Sequence, residues 1–369
     1  MKVIYLIRSV GMTGGVKVFF QHVQLLRNLG HEIPILTKKI LDNWKFPIVP
    51  TIIPSFTEKN IPEADAYVVS VPKDVEEVWP VAKKRNIPLF HFMQGFEPDY
   101  IMQRITGDVI PDRFRSNDVL TKVRYKKKIW GWKRKLKRFD NIYILPTIKM
   151  AISPHLIDGM EKRHGTRPYL LPNGIDLGMF YPKQKTLDYS GVLNIMSVGN
   201  SRIEYKRVPD IWEAVRILKG KGVKVQFTRV SPADIDDVEK NLGIVDRFFV
   251  RISEKEIAEL YRESHVLAAV STEIEGFGLP PVEAMAAGTP VILTRVPPFL
   301  AFDAIHDYAH FVDVRRPDEI AKGIMEIAHN ETLRDKLIKR GLEVAQQYSL
   351  SHIGVLLENI LKDHISVRR

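Results

Sequence analysis

Short apolar runs alternate with helical periods along the whole chain, and they do so twice. The first series starts with the run Val3–Ile7, which Arg8 ends. Residues 16–29 follow, apolar at Val16, Phe19, Phe20, Val23, Leu26 and Leu29 and closed by Gly30. That spacing is helical, and glycine is the usual residue just past a helix end. Ile33–Leu36, Ala66–Val71, Pro88–Met93, Met150–Ser153 and Tyr169–Pro172 read as further strands. The second series has Leu193–Val198, a helix over 210–218, Val223–Phe227, Phe248–Ile252, a helix over 254–263, Val266–Val270 and Thr289–Leu293. Helices over 317–328 and 332–348 follow, and Leu356, Leu357, Ile360 and Leu361 mark a last amphipathic one.

Strands that alternate with helices pair in parallel and are covered on both faces. Two such series in 369 residues exceed what one core usually fills. The expected fold is therefore α/β, with two doubly wound, Rossmann-like domains facing a central cleft, since ligands bind such sheets at the carboxyl ends of the strands. The turn-rich stretch from Pro172-Asn173-Gly174 to Ser190-Gly191 is the natural boundary. It gives an N-terminal domain over 1–175 and a C-terminal one over 176–350, with the helix of about 351–369 expected back on the first domain.

The chain has no cysteine, which excludes disulfides and thiolate metal sites. No stretch approaches the ~20 apolar residues of a membrane span, so a cytoplasmic protein is expected. The net charge of +11 is local: residues 113–138 hold twelve Lys or Arg against one acid, Asp118, and the remaining charges cancel. The chain is thus neutral apart from one anion-seeking segment.

The sharpest chemical motif is Glu275-Gly276-Phe277-Gly278-Leu279-Pro280-Pro281-Val282-Glu283, between an apolar strand and a helix. Its glycines permit close backbone approach, its prolines suit a first helical turn, and the amides at the helix start suit a phosphate. Glu275 and Glu283 are expected to present acceptors to one ligand's hydroxyls. The blander alternative is a tight turn with Glu283 favoured by the helix dipole. Asp234-Ile235-Asp236-Asp237 imitates a metal-binding Asp-x-Asp but reads as the acidic start of a helix.

Two glutamates seven residues apart around Gly-Phe-Gly-Leu resemble the signature of retaining glycosyltransferase family 4. Ala284-Met285-Ala286-Ala287-Gly288-Thr289-Pro290-Val291, Gly14-Gly15, Ser153, Pro172-Asn173-Gly174-Ile175-Asp176, and Gly199 with Arg202 and Lys206 agree with it in order. The resemblance spans nearly the whole chain and implies the GT-B fold and a nucleotide-diphosphate sugar as donor. By it, Glu275 binds the donor sugar, Gly276, Phe277, Gly278 and Leu279 bind sugar and phosphate through their backbone, and Glu283 binds the ribose. Arg202 and Lys206 would hold the diphosphate and stabilise it as it leaves, with Arg207 a rival for the lysine's place because the family usually has Lys-Gly there. Gly14 and Gly15 would let the first domain close on the same phosphates. The resemblance further implies front-face displacement with retention, a hexose-type sugar, and no metal or other cofactor.

One departure is Gln94 in Phe92-Met93-Gln94-Gly95-Phe96-Glu97, where many relatives carry His-Gly-x-Glu. Glutamine hydrogen-bonds but does not titrate, so no acid–base role is carried over. A Gln-containing motif of this kind resembles that of some transferases of bacterial surface polysaccharides. His91, alternating in a strand, reads as structural.

Residues 125–139 interleave cations with Ile129, Trp130, Trp132, Leu136 and Phe139. An anionic membrane surface suits that mixture, as does an anionic acceptor glycan, whereas a solvated helix with its aromatics in the core is the plain alternative and nucleic acid the least favoured. The expected partners are a nucleotide-sugar donor, a glycan or lipid-linked acceptor of the cell envelope, and the inner face of the cell membrane. Among rivals, a dehydrogenase would need Gly-x-Gly-x-x-Gly and an acid ending the second strand, where Leu36-Thr37-Lys38-Lys39 stands. A non-catalytic binding protein of the same fold, a phosphorylase or an epimerase are the others.

Overall fold

The computed structural model describes residues 1–11, 13–41, 48–107, 110, 114, 118–183 and 187–366. Met12 of the glycine loop, Arg113 and Arg115 of the basic segment, 184–186 of the boundary stretch and 367–369 lie outside the described residues. The chain divides into two compact units, one of Met1–Gly11, Gly15–Pro172 and Gly354–Arg369, the other of Asn173–Ile353 and Met12–Gly14.

In the first unit the strands are β1 (Val3–Val10), β2 (Ile35–Ile40), β3 (Thr51–Ile52), β4 (Ala66–Val69), β5 (Leu89–Met93), β6 (Ile148–Ala151) and β7 (Tyr169–Leu170). They form one sheet in the order β3-β2-β1-β4-β5-β6-β7, every pair parallel. The helices are α1 (Gly14–Asn28), α2 (Pro72–Lys84), α3 (Glu97–Thr106), α4 (Val119–Tyr143) and α5 (Pro154–His164). Every residue of β4 and β5 is buried, the unbroken apolar run of a strand covered on both faces.

The second unit holds β8 (Leu193–Val198), α6 (Val208–Gly220), β9 (Val225–Ser231), α7 (Asp237–Leu242), β10 (Arg247–Val250), α8 (Glu254–Glu263), β11 (Val266–Ala269), α9 (Leu279–Ala286), β12 (Val291–Thr294), α10 (Pro297–Leu300), β13 (His310–Val312), α11 (Pro317–His329) and α12 (Glu331–Gln346). Its parallel sheet runs β10-β9-β8-β11-β12-β13. Ile195, Phe227, Ala268 and Ile292 from four strands pack with Val215 of α6 and Ile324 of α11 into one core. The last helix, α13 (Leu350–Ser366), lies in the first unit from Gly354 onward. There Glu358 pairs with His31 at 2.7 Å and the His364 ring meets the Tyr169 hydroxyl at 3.0 Å.

The structure differs from the expected elements at several places, each for a local reason. β1 runs past Arg8 to Val10, because Ser9 and Val10 pair with Lys39 and Ile40 while the Arg8 charge is met by Asp74 and Glu77. β7 stops at Leu170, short of Pro172, which has no amide to donate. β3 and β13 are two and three residues long, and a run that short carries no readable period. The stretch from Ser231 is strand to its first residue and irregular after it; α7 begins only at Asp237, with the Asp236 carboxylate accepting the Glu239 amide at 2.8 Å as its N-cap.

Candidate functional site

In the second unit, the loops leaving the carboxyl ends of β8 and β11 are stitched together. The β8 loop runs from Gly199 into a 3-10 turn, Glu204–Lys206, and then into α6. The Tyr205 carbonyl accepts the Thr272 amide at 3.0 Å and the Ser271 hydroxyl at 2.7 Å. One residue on, Lys206 Nζ donates to Glu275 Oε2 at 2.6 Å. The Ser271 hydroxyl lies 3.2 Å from the same carboxylate oxygen. Ser271 is itself fixed from β12, where Thr294 Oγ1 accepts its amide and donates to its carbonyl.

The Lys206 side chain keeps 24% of its surface exposed and Glu275 9%, so the pair is buried on one side and open on the other. Desolvation pulls the Lys206 pKa down, and the attraction of Glu275 overrides it, so the ammonium stays firmly charged. Arg207, the rival cation, is committed elsewhere. Its backbone takes φ 47° at the start of α6, and its guanidinium grips Asp210 with both arms. Arg202 is exposed on the same loop, its amide held by the Asn200 side chain at 3.0 Å.

The glycine-rich loop ends in α9, and Gly278 has φ +90°. A side chain there would be strained, and its Cβ would lie 2.6 Å from the Phe299 ring. Phe277 is buried, its ring edge-on to Phe302 and Tyr348, so only its backbone is available to a ligand. Gly276 and Leu279 are half-buried, Leu279 opening the helix. The two glutamates have different partners. Glu283, buried on the fifth residue of α9, accepts the Tyr261 hydroxyl of α8 at 3.1 Å. Burial, with Glu283 beside it, raises the Tyr261 phenol far above its ordinary pKa, so it remains a donor.

Gly14 and Gly15 are the first two residues of α1, not a free loop before it. Gln94 packs against Gly15, and a Cβ there would lie 2.4 Å from its Oε1 and displace the Gln94 amide. Its Nε2 donates to the Gly15 carbonyl at 3.1 Å and to the Ser70 hydroxyl at 3.2 Å. The Gln94 amide thus joins the ends of β4 and β5 to the start of α1. His91 is wholly buried with Nε2 3.0 Å from the Ser70 carbonyl, and burial pushes its pKa down to about 3. It is a neutral packing residue. Glu97 opens α3, its half-buried carboxylate raised by desolvation and bonded by the Tyr143 hydroxyl.

Residues 194–344, which contain the Lys206–Glu275 pair and Glu283, match the family model of glycosyl transferases group 1. Over that stretch the chain is similar to the group 1 glycosyltransferases. Over 200 residues the chain is 26% identical to the phosphatidyl-myo-inositol mannosyltransferase of Mycobacterium tuberculosis, covering 50% of this chain and 51% of that protein. It therefore spans about half the length of such curated relatives. Sucrose-phosphate synthase from Thermosynechococcus elongatus superposes with a TM-score of 0.74 at 16% identity, each chain covered completely. Anabaena Alr3699/HepE in complex with UDP and glucose gives 0.73 at 13% identity, over 98% of this chain and 100% of that one. These likenesses establish the fold of the chain as GT-B.

The chain has a further prominent surface, helix α4. Trp132 and Leu136 are buried against Ile101, with Tyr125 and Ile129 half-buried beside them. On the opposite side Val119, Val123 and Trp130 are exposed, Trp130 at 64%. The ten Lys and Arg between Lys122 and Arg138 are all exposed, with no acid among them. Successive tryptophans two residues apart face opposite sides of a helix, so one is core and the other surface. No helix among the described residues is long and apolar enough to cross a membrane. Among the described residues no cluster of His, Cys, Asp or Glu is arranged for a metal ion.

Several contributors escaped the sequence reading. Tyr205 acts through its carbonyl, Ser271 through a hydroxyl in an unremarkable apolar stretch, and Tyr261 through a contact between two helices. No local pattern announces any of them.

Proposed function

We propose that this protein moves a hexose-type sugar from a nucleoside-diphosphate sugar to a hydroxyl of a glycan or lipid-linked acceptor, with retention, in cell-envelope polysaccharide synthesis. The observation that carries the reading is the half-open Lys206–Glu275 pair at the carboxyl ends of β8 and β11, where doubly wound sheets bind nucleotides. The named relatives support it: one transfers mannose to a phosphoinositide by its name, and HepE holds UDP and glucose.

In this reading Glu275 accepts from sugar hydroxyls, Glu283 from the ribose, and the amides of Gly276 to Leu279 meet sugar and phosphate. Lys206 and Arg202 carry charge that grows on the diphosphate as the bond from C1 to its oxygen breaks. The acceptor oxygen bonds to C1 from the side the diphosphate leaves, and its proton passes to a diphosphate oxygen. Configuration is then kept without an enzyme nucleophile, and positioning does most of the work. Gln94 orders the start of α1 as a hydrogen-bonding group. The exposed cations and Trp130 of α4 fit the inner, anionic surface of the membrane on which a lipid-linked acceptor sits.

The test is thermal unfolding with UDP-, GDP-, dTDP- and ADP-sugars, on wild type and Glu283→Ala. One nucleotide family should stabilise the wild type, and the variant should lose most of that shift. No shift by any sugar nucleotide overturns the proposal.

A further inference from the structure

Arg229, the fifth residue of β9, is wholly buried, and each arm of its guanidinium has a target. Nε donates to Glu239 at 2.6 Å, Nη1 to the Ser197 carbonyl at 3.0 Å and Nη2 to the Gly199 carbonyl at 2.7 Å. Glu239 sits on α7 and also accepts Trp212 Nε1 of α6 at 3.1 Å. Next to it, Asp236 accepts the Ser201 hydroxyl. Burying an ion pair this deeply is unfavourable, and apolar side chains of similar volume commonly serve stability as well or better. What apolar side chains cannot do is hold two backbone carbonyls at the end of β8.

We propose that Arg229 is a positioning residue of the donor site, turning the Gly199–Asn200 peptide so that its amide faces the donor diphosphate. The proposal rests on the donor-site reading above. In a trans peptide the C=O and N–H point in opposite directions. With the Gly199 carbonyl drawn to Arg229, the Asn200 N–H points away from the buried ion pair. Neither that amide nor the Ser201 amide has a hydrogen-bond partner among the described residues. Gly199 takes φ +141°, and the stem of Lys206 passes 3.9 Å from where its Cβ would be. The free amides therefore share a loop with the lysine that pairs with Glu275. Fixed amides aimed where negative charge gathers form an anion-binding concavity with no reorganisation on binding.

Titration calorimetry with UDP, GDP, dTDP and ADP, and with the monophosphate of whichever binds, tests this on wild type and the Arg229→Met/Glu239→Leu double variant. That variant removes both charges, so neither is left buried alone. The expected result is a loss of about tenfold or more in diphosphate affinity and a change of less than about threefold for the monophosphate. Unchanged diphosphate binding, or equal loss for both nucleotides, overturns the proposal. Should the double variant not fold, Arg229→Lys keeps the charge opposite Glu239 but cannot reach both carbonyls, and it must show the same preferential loss or the proposal fails. If no diphosphate binds the wild type, the donor-site reading fails first and the role of Arg229 falls with it.

Discussion

Lys206→Met should reveal how strongly the candidate site is held together before any substrate arrives. The contact is 2.6 Å, Glu275 is almost enclosed, and Lys206 keeps a quarter of its surface in water. Removing one partner of a fully buried pair costs about 3–5 kcal/mol. The open side and the remaining Ser271 hydroxyl beside the carboxylate reduce this to about 2 kcal/mol. Glu275→Gln leaves Lys206 free to turn toward solvent and should cost about 1 kcal/mol. The double variant has no stranded charge, so it should be more stable than the sum of the two losses, with a coupling of about 1–2 kcal/mol. Urea unfolding of the nucleotide-free protein measures this, with the transitions of the two units fitted separately where they resolve. Repeating it with the stabilising nucleotide at about a hundred times its Kd should add about 2.7 kcal/mol to the wild type and far less to all three variants. Losses that add within about 0.5 kcal/mol would refute the inference that the two side chains act as one unit.

The two tryptophans of α4 should separate cleanly. Trp132→Ala, in the core beneath the helix, should cost about 3–5 kcal/mol, whereas Trp130→Ala should change stability by less than about 0.5 kcal/mol and weaken binding to phosphatidylserine vesicles in a flotation assay; equal vesicle binding would speak against membrane contact. His22 gives an acid response. It is wholly buried, neither ring nitrogen has a partner among the described residues, and burial pushes its pKa down to about 3. The unfolded chain binds that proton near pH 6.5, so the neutral ring's contribution is intact above pH 6.5 and is lost as pH falls toward 3. At pH 5 the loss is about 2 kcal/mol, and His22→Phe should lose less stability than wild type between pH 6.5 and 5 by equilibrium unfolding.

What the sequence determined by itself was periodic or local. Continuous apolar runs such as Ala66–Val69, spaced by helical periods, specify buried parallel strands, because burial on both faces leaves no polar positions to interrupt them. The Glu-Gly-Phe-Gly-Leu run marks the loop before α9, because its glycine at 278 meets a local backbone demand. The concentration of charge near α4 is equally a property of the chain. Tertiary structure alone decided which cation pairs with Glu275. Lys206 and Arg207 are adjacent and both charged; only the left-handed turn at Arg207, closed by Asp210, sends one side chain to Glu275 and the other to the helix start. It decided likewise which tryptophan of α4 is core, that Glu283 meets Tyr261, and that Arg229 is buried against the β8 loop. Each of these depends on residues from separate elements arriving at one point, and a period along the chain carries no information about what packs against it.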